Sequence, residues 1–386
     1  MRLAILMSVA SPWSREAAVR LSESGHEIHV VSFRQEREDA YLHISDSFMG
    51  PALQRLRDAV SAIHFIDSRL NSGLRYLLSA PVLRRLLERC EADALLTLYA
   101  GGFAAMAFAS GFRPYAVYAV GSDILHCTGW KRWVSRVALR SASAVFVNGA
   151  HLTQQTHELV PGAHPISLYL GVDAERFSPR PRPDRPVRVL CTRGFLPVYN
   201  NEYLIRALAY LPDDAGDFTV TFVSGGSGLA RARQLADELL PASIRRRVEF
   251  LGGVSDERMT EIVRDSHIYI STSRSDGTSS SLLEALASGL FPIVSDIPQN
   301  REWIKPDGAW RNGMLVPLDE PESLAKALQS AMIEKLWNSK IVGHNRGLVL
   351  ARADSTTNMA VVAATMESIV QELNFPCHEL YSTNSD

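Results

Sequence analysis

Short apolar runs bounded by glycine or polar residues recur along this chain, and between them lie stretches whose apolar residues repeat at helical spacing. Residues 3–9 read as a strand, 15–24 as a helix stopped by Gly25, and Glu27–Phe33 as a second strand. A strand–helix–strand order makes a parallel pair, since only a crossover returns the chain in the same direction. The alternation continues through strands at 94–99, 115–120 and 144–148, which predicts a doubly wound α/β domain. Four prolines then fall within Phe177-Ser-Pro-Arg-Pro-Arg-Pro-Asp-Arg-Pro186, too stiff and too poor in donors for a helix or a central strand, and this segment reads as an interdomain linker. Beyond it, strands at 187–191, 218–223, 248–250, 268–271 and 291–295 alternate with helices and predict a second doubly wound domain. The expected division is 1–180, 187–352, and a C-terminal helix at 353–375 packing back on the first domain, followed by a frayed polar tail from about Phe375.

One segment combines this pattern with chemistry: SDGTSSSLLEALASGLFPIVSDIPQNREWI, from Ser275 to Ile304. Thr278 to Ser281 can cap and open a helix, which should start near Ser280. Leu282, Leu283, Leu286 and Leu290 form its apolar stripe, and Glu284 lies outside that stripe. The first turn of a helix presents free N–H groups and the positive end of a dipole, so a phosphate-sized anion fits there. The Gly-Leu-Phe-Pro that follows ends the helix and leads into a buried strand.

With 386 residues and 46% apolar composition, the chain is long enough for two domains with separate cores. Forty basic against forty-two acidic residues give a net charge of −2, so no global basic field argues for nucleic acid. Cys90, Cys127, Cys191 and Cys377 lack metal-site spacing, which excludes a zinc cluster and fits a reducing cytoplasm. The apolar run near Met1 is too short for a secretory signal, and no stretch is long enough to span a bilayer, so the expected protein is cytoplasmic, soluble or peripheral at the inner face of a membrane.

Four stretches in order resemble retaining glycosyltransferases of sequence family 4. Asp276 and Glu284 have the spacing of that family's paired acids, and Glu284-Ala-Leu-Ala-Ser-Gly-Leu-Phe-Pro292 continues the match. Gly171-Val-Asp-Ala-Glu-Arg-Phe-Ser-Pro179, Val248-Glu-Phe-Leu-Gly252 and Asn312-Gly-Met-Leu-Val-Pro317 correspond to three further family motifs. The resemblance implies the GT-B fold, two Rossmann-like domains facing a central cleft, and a hexosyltransferase-type, metal-independent enzyme with no cofactor beyond its nucleoside diphosphate sugar co-substrate. By the resemblance, Glu284 takes the ribose hydroxyls, Gly277, Thr278, Ser279 and Ser280 present donors to diphosphate and sugar, and Asp276 faces the transferred sugar. Arg193 is placed on the leaving phosphates, Tyr199 stands where the family usually has a lysine, and Leu251 and Gly252 adjoin the base. In the first domain Val120-Gly-Ser-Asp123 replaces the frequent His-Gly-Ser-Asp, leaving Asp123 as the candidate contact there.

Two alternatives stay open: a sugar-nucleotide epimerase, which shares the fold and cleft but would need paired acids or histidines around the sugar that the sequence does not offer, and, because of these departures, a catalytically silent nucleotide-sugar-binding partner subunit. The acceptor is expected to be a hydroxyl compound, phosphorylated or lipid-linked among the options. The helix-like stretch at 130–140 carries Trp130, Lys131, Arg132, Trp133, Arg136 and Arg140, with no acid between Asp123 and Glu158. It reads either as an ordinary solvated face or as a contact for a phosphorylated acceptor or anionic membrane.

Overall fold

The computed structural model describes residues 1–34, 46–68, 73–305 and 312–374. The tail expected to fray from Phe375 lies outside these residues. The first domain is a parallel sheet of seven strands: β1 (Arg2–Leu6), β2 (Glu27–Phe33), β3 (Ala62–Ile66), β4 (Ala94–Leu98), β5 (Tyr115–Ala119), β6 (Ala144–Val147) and β7 (Ile166–Ser167). Their order is β3-β2-β1-β4-β5-β6-β7. The second is a parallel sheet of six: β8 (Val187–Cys191), β9 (Phe218–Val223), β10 (Val248–Gly252), β11 (Ile268–Ser271), β12 (Phe291–Ser295) and β13 (Met314–Val316), in the order β10-β9-β8-β11-β12-β13. Two Rossmann-like parallel sheets are the architecture expected from the alternating pattern.

Each sheet is covered on both faces, which is why its strands read as near-continuous apolar runs. In the first domain, one face packs Leu6, Val31 and Phe33 against Phe103 and Leu83; the other packs Leu3, Ile5 and Val30 against Leu21 and Leu56. The long helix Ser355–Asn374 joins that second face through Met359, Val362 and Met366, so the end of the chain builds the core of its beginning. Strands β7 and β13 escape the sequence pattern because they are short, β7 pairing through only Ile166 and Ser167, and β3 escapes it as a half-exposed strand at the sheet edge.

The proline-rich segment differs from its expected role. Tyr169, Val172 and Phe177 already belong to the core of the second domain. Arg182 donates to the carbonyls of Arg264, Gly289 and Ser288, and Arg180 pairs with Asp265, so the prolines lie along the second domain instead of spanning a gap. The passage between sheets falls earlier, where Val172 N donates to Ala353 O at 2.9 Å and Ser355 N donates to Val172 O at 3.1 Å. Both crossings of the chain thus run side by side. Gly171 allows this approach: its φ is +81°, and a Cβ there would stand 2.7 Å from Ala353 O.

Candidate functional site

The C-terminal ends of β8 and β11 and the start of helix Ser280–Ala287 converge at one place. Ser279 is the helix cap, its hydroxyl accepting from Leu282 N at 3.4 Å. Past the end of β8, Arg193 turns toward this cap and donates to Ser279 Oγ at 3.2 Å. Its other terminal nitrogen lies 2.6 Å from Asp276 Oδ2, and its guanidinium stacks over the Tyr199 ring at 4.1 Å. Asn201 holds the Arg193 backbone by donating to the carbonyls of Arg193 and Gly194 at 2.9 and 3.1 Å. Thr272 Oγ1 ties Tyr199 and Asn200 to the end of β11 through their carbonyls.

Two features make this corner a candidate for an anion. The Arg193 side chain is only 11% exposed, and its buried Nε has no hydrogen-bond partner among the described residues. An unpaired donor on a buried cation is costly unless an anion from outside completes it. The Asp276 carboxylate occupies part of that position, ion-paired through Oδ2 to the terminal nitrogen of Arg193 and accepting from Gly277 N. Burial pushes Asp276 above the ordinary carboxylate range while Arg193 pulls it down.

Glu284 stands one turn into the same helix, on its half-buried side. Burial pushes its carboxyl up to about 7, with Arg176 pulling down and Asp256 pushing up. Arg176, from the Gly171–Pro179 motif, is anchored by Thr260 Oγ1 at 2.7 Å and by the Asp256 carbonyl. Leu251 and Gly252 end β10, where Gly252 O accepts from Ser224 N at 2.8 Å and Gly252 has φ +74°. This joins the base-side candidates to the loop after β9.

The first domain closes directly over the second at this point. A Cβ on Gly277 would overlap the Val120 carbonyl oxygen, and one on Gly121 would stand 2.9 Å from Gly277 Cα. Thr278 Oγ1 donates to Asn148 O at 3.0 Å, and Asn148 Nδ2 donates back to Thr278 O at 3.4 Å. Two glycines face each other here because a side chain on either would hold the domains apart. Asp123, expected at the substrate, is instead enclosed: its carboxylate accepts from Ala100 N at 2.6 Å and Gly121 N at 2.7 Å, and also from Val120 N. Burial raises its pKa against those bonds. Its place in the fold is to fix the Val120–Gly121 loop that touches Gly277.

Residues that sequence reasoning passed over complete the interdomain contact. Glu302 accepts from Ala150 N and His151 N at 3.2 and 2.7 Å, capping the helix Ala150–Leu159 from the opposite domain, and also from Tyr169 Oη at 2.8 Å. Arg352 bonds the same Tyr169 Oη at 2.7 Å and stacks over Trp303. Arg15, buried, lies 3.5 Å from Asp256 across the interface. Arg176 alone carried a sequence signal, through its motif; the others have no local pattern.

Residues 173–341 match the family model described as glycosyl transferases group 1. An uncharacterized glycosyltransferase of Methanocaldococcus jannaschii is 34% identical over 146 residues, 37% of this chain and 35% of that protein, so the match spans about a third of the relative's length. Among solved structures, sucrose-phosphate synthase from Thermosynechococcus elongatus superposes with a TM-score of 0.75 at 15% identity, over 97% of this chain and 99% of that one. Anabaena HepE, solved with UDP and glucose, gives 0.75 at 18% identity over 95% and 100%. The chain therefore has the GT-B fold and resembles group 1 glycosyl transferases.

Proposed function

From this resemblance, we propose that the chain is a retaining glycosyltransferase that moves a sugar from a nucleoside diphosphate sugar to a hydroxyl acceptor without a metal ion. The observation that carries the reading is the buried Arg193 guanidinium, with Nε unpaired, at the first turn of a helix and flanked by two carboxylates of different surroundings. A diphosphate is the ligand whose charge completes Arg193, and it competes with Asp276 for it. Released from the ion pair, Asp276 is free to face the sugar as positive charge develops at the anomeric carbon. Glu284, ionised, accepts from the ribose diol, and Tyr199 supports the guanidinium in place of a second cation. Backbone groups near Leu251 and Gly252 adjoin the base, and the first domain supplies the acceptor side through the Val120–Gly121 loop.

No side chain is needed as a covalent nucleophile in this scheme. The departing diphosphate oxygen takes the acceptor proton on the face from which it leaves, and Arg193 with the helix N–H groups stabilises its charge. Because Gly277 rests on Val120, donor entry requires the domains to part and close again, with the side-by-side crossings at Val172 and Ala353 as the joint. UDP is the first donor base to test, since HepE was solved with UDP and glucose. An epimerase or a silent partner subunit is not favoured by the group 1 match.

The decisive experiment incubates the protein with radiolabelled UDP-, GDP-, ADP- and TDP-sugars, with hydroxyl acceptors and without. Transfer with retained anomeric configuration, read by proton NMR, is the expected result. Conversion of donor to an epimer without release of nucleotide, or binding with no turnover at all, would sink the proposal.

A further inference from the structure

The helix Gly129–Arg140 buries one face, Ser135, Ala138 and Leu139, against the first domain and turns the rest outward. A soluble helix usually places charge on that outer face. This one places two indoles there: Trp130 is 56% exposed and Trp133 is 67% exposed. Beside them run Arg132, Arg136 and Arg140 at four-residue spacing, none of them ion-paired among the described residues. The neighbouring helix Leu74–Arg89 repeats the anomaly, with Leu74 56% and Leu78 64% exposed one turn apart. The two stripes are continuous, since a Cβ on Gly73, just before Leu74, would lie 3.3 Å from the Trp130 ring.

We propose that these two helices form one face that docks on an anionic phospholipid surface, with the indoles and leucines entering the boundary between headgroups and acyl chains. The chemistry selects the occupant. Tryptophan favours that boundary because its ring is apolar and its N–H stays wet, and an arginine stripe beside it meets lipid phosphates. No acid occurs between Asp123 and Glu158 to oppose an anionic surface. The aromatic end of the face, Trp130, begins seven residues after Asp123, which braces the Val120–Gly121 loop at the domain interface. This goes beyond the donor chemistry proposed above and does not depend on it.

The test is flotation of the full chain with vesicles of phosphatidylcholine alone and of phosphatidylcholine mixed with phosphatidylglycerol, at low and high salt and without donor. Expected are binding to the mixed vesicles only, weakening with salt, and quenching of tryptophan fluorescence by brominated lipid that is lost in Trp130→Ala/Trp133→Ala. Losing one arginine near the surface should cost about fivefold, so Arg136→Gln/Arg140→Gln should lose about 25-fold. Leu74→Ser/Leu78→Ser, on the other helix, should weaken binding on the order of tenfold. All these positions are exposed, so unchanged thermal unfolding shows that the variants fold. Absence of vesicle binding by the wild-type chain overturns the proposal. So does binding that depends on the arginines but not on the Trp or Leu pairs, which is adsorption without entry, and so does self-association lost in the Trp variant with no vesicle binding, which makes the face a protein contact. Because no donor is present, none of these outcomes bears on glycosyl transfer.

Discussion

Replacing Glu284 by Gln should stabilise the free protein and weaken its nucleotide binding at once. Burial raises the Glu284 carboxyl from 4.5 to about 7. The folded state therefore holds a proton that the unfolded chain has already released, and stability falls as pH rises between these two values. Below about 4.5 both states are protonated and the variant gains nothing; above about 7 the ionised carboxylate costs the folded state its full penalty. Each pKa step is worth about 1.4 kcal/mol, which sets an upper limit of about 3 kcal/mol, and partial contact of the side chain with water lowers the real figure. Gln has the same shape without the charge, so Glu284→Gln should be more stable than wild type at pH 8, by an amount that disappears near pH 4.5. Nucleotide binding should move the other way. A ribose diol donates two hydrogen bonds to the ionised form, and hydrogen bonds to a charged group are worth about 1.5–3 kcal/mol, a loss of roughly ten- to a hundredfold or more. The same bonds favour ionisation, so UDP binding near pH 7 should release a proton. Chemical denaturation across pH measures the stability; calorimetric titration of UDP in two buffers of different ionisation enthalpy measures the proton. A variant no more stable than wild type at pH 8 that also binds UDP as tightly as wild type would refute the reasoning, because the carboxylate would then be neither strained by burial nor used by the ribose.

The other acid should fail differently. Asp276→Asn should lower turnover about a hundredfold or more while nucleotide affinity is kept or tightened, since the variant removes the carboxylate that competes for Arg193 and the role of Asp276 in transfer begins when the anomeric carbon gains charge; equal losses in both would assign it to ground-state binding. Gly277→Ala places a methyl against the Val120 carbonyl, so the domains should stand apart: X-ray scattering should show a larger radius of gyration and turnover should drop while UDP binding survives. Unchanged scattering and turnover would show that this contact is not part of the working state. Asp123→Ala leaves the N–H groups of Ala100, Val120 and Gly121 without their acceptor, and at about 1–3 kcal/mol for each group left buried and unpaired the denaturation midpoint should fall clearly. A midpoint matching wild type would mean that water replaces the carboxylate. EDTA should leave sugar transfer intact, with loss of turnover restored by Mn²⁺ or Mg²⁺ as the contrary result.

Where residues act on near neighbours, this chain was legible from its sequence. The strands Glu27–Phe33, Val187–Cys191, Phe218–Val223, Ile268–Ser271 and Phe291–Ser295 stand where apolar runs end in turn residues. The helix cap at Ser279 needed only its own hydroxyl and a free N–H three residues on. Two domains followed from length and alternation, and motif spacing brought the group 1 resemblance. Tertiary structure decided which candidates meet and in what state. Arg193 finds Asp276 across two strands of the second sheet, Asn148 and Thr278 are 130 residues apart, and Glu302 caps a helix 152 residues before it, pairs that no local pattern encodes. Asp123, Asp276 and Glu284 look alike in the sequence as acids beside small residues. The fold gives the first to its own backbone, the second to a buried guanidinium, and the third to a half-buried face that lifts its pKa to about 7. Local propensity is a property of neighbouring side chains and backbone, whereas the charge state and partner of a carboxylate depend on how much water the assembled domains exclude and which distant donors they bring beside it.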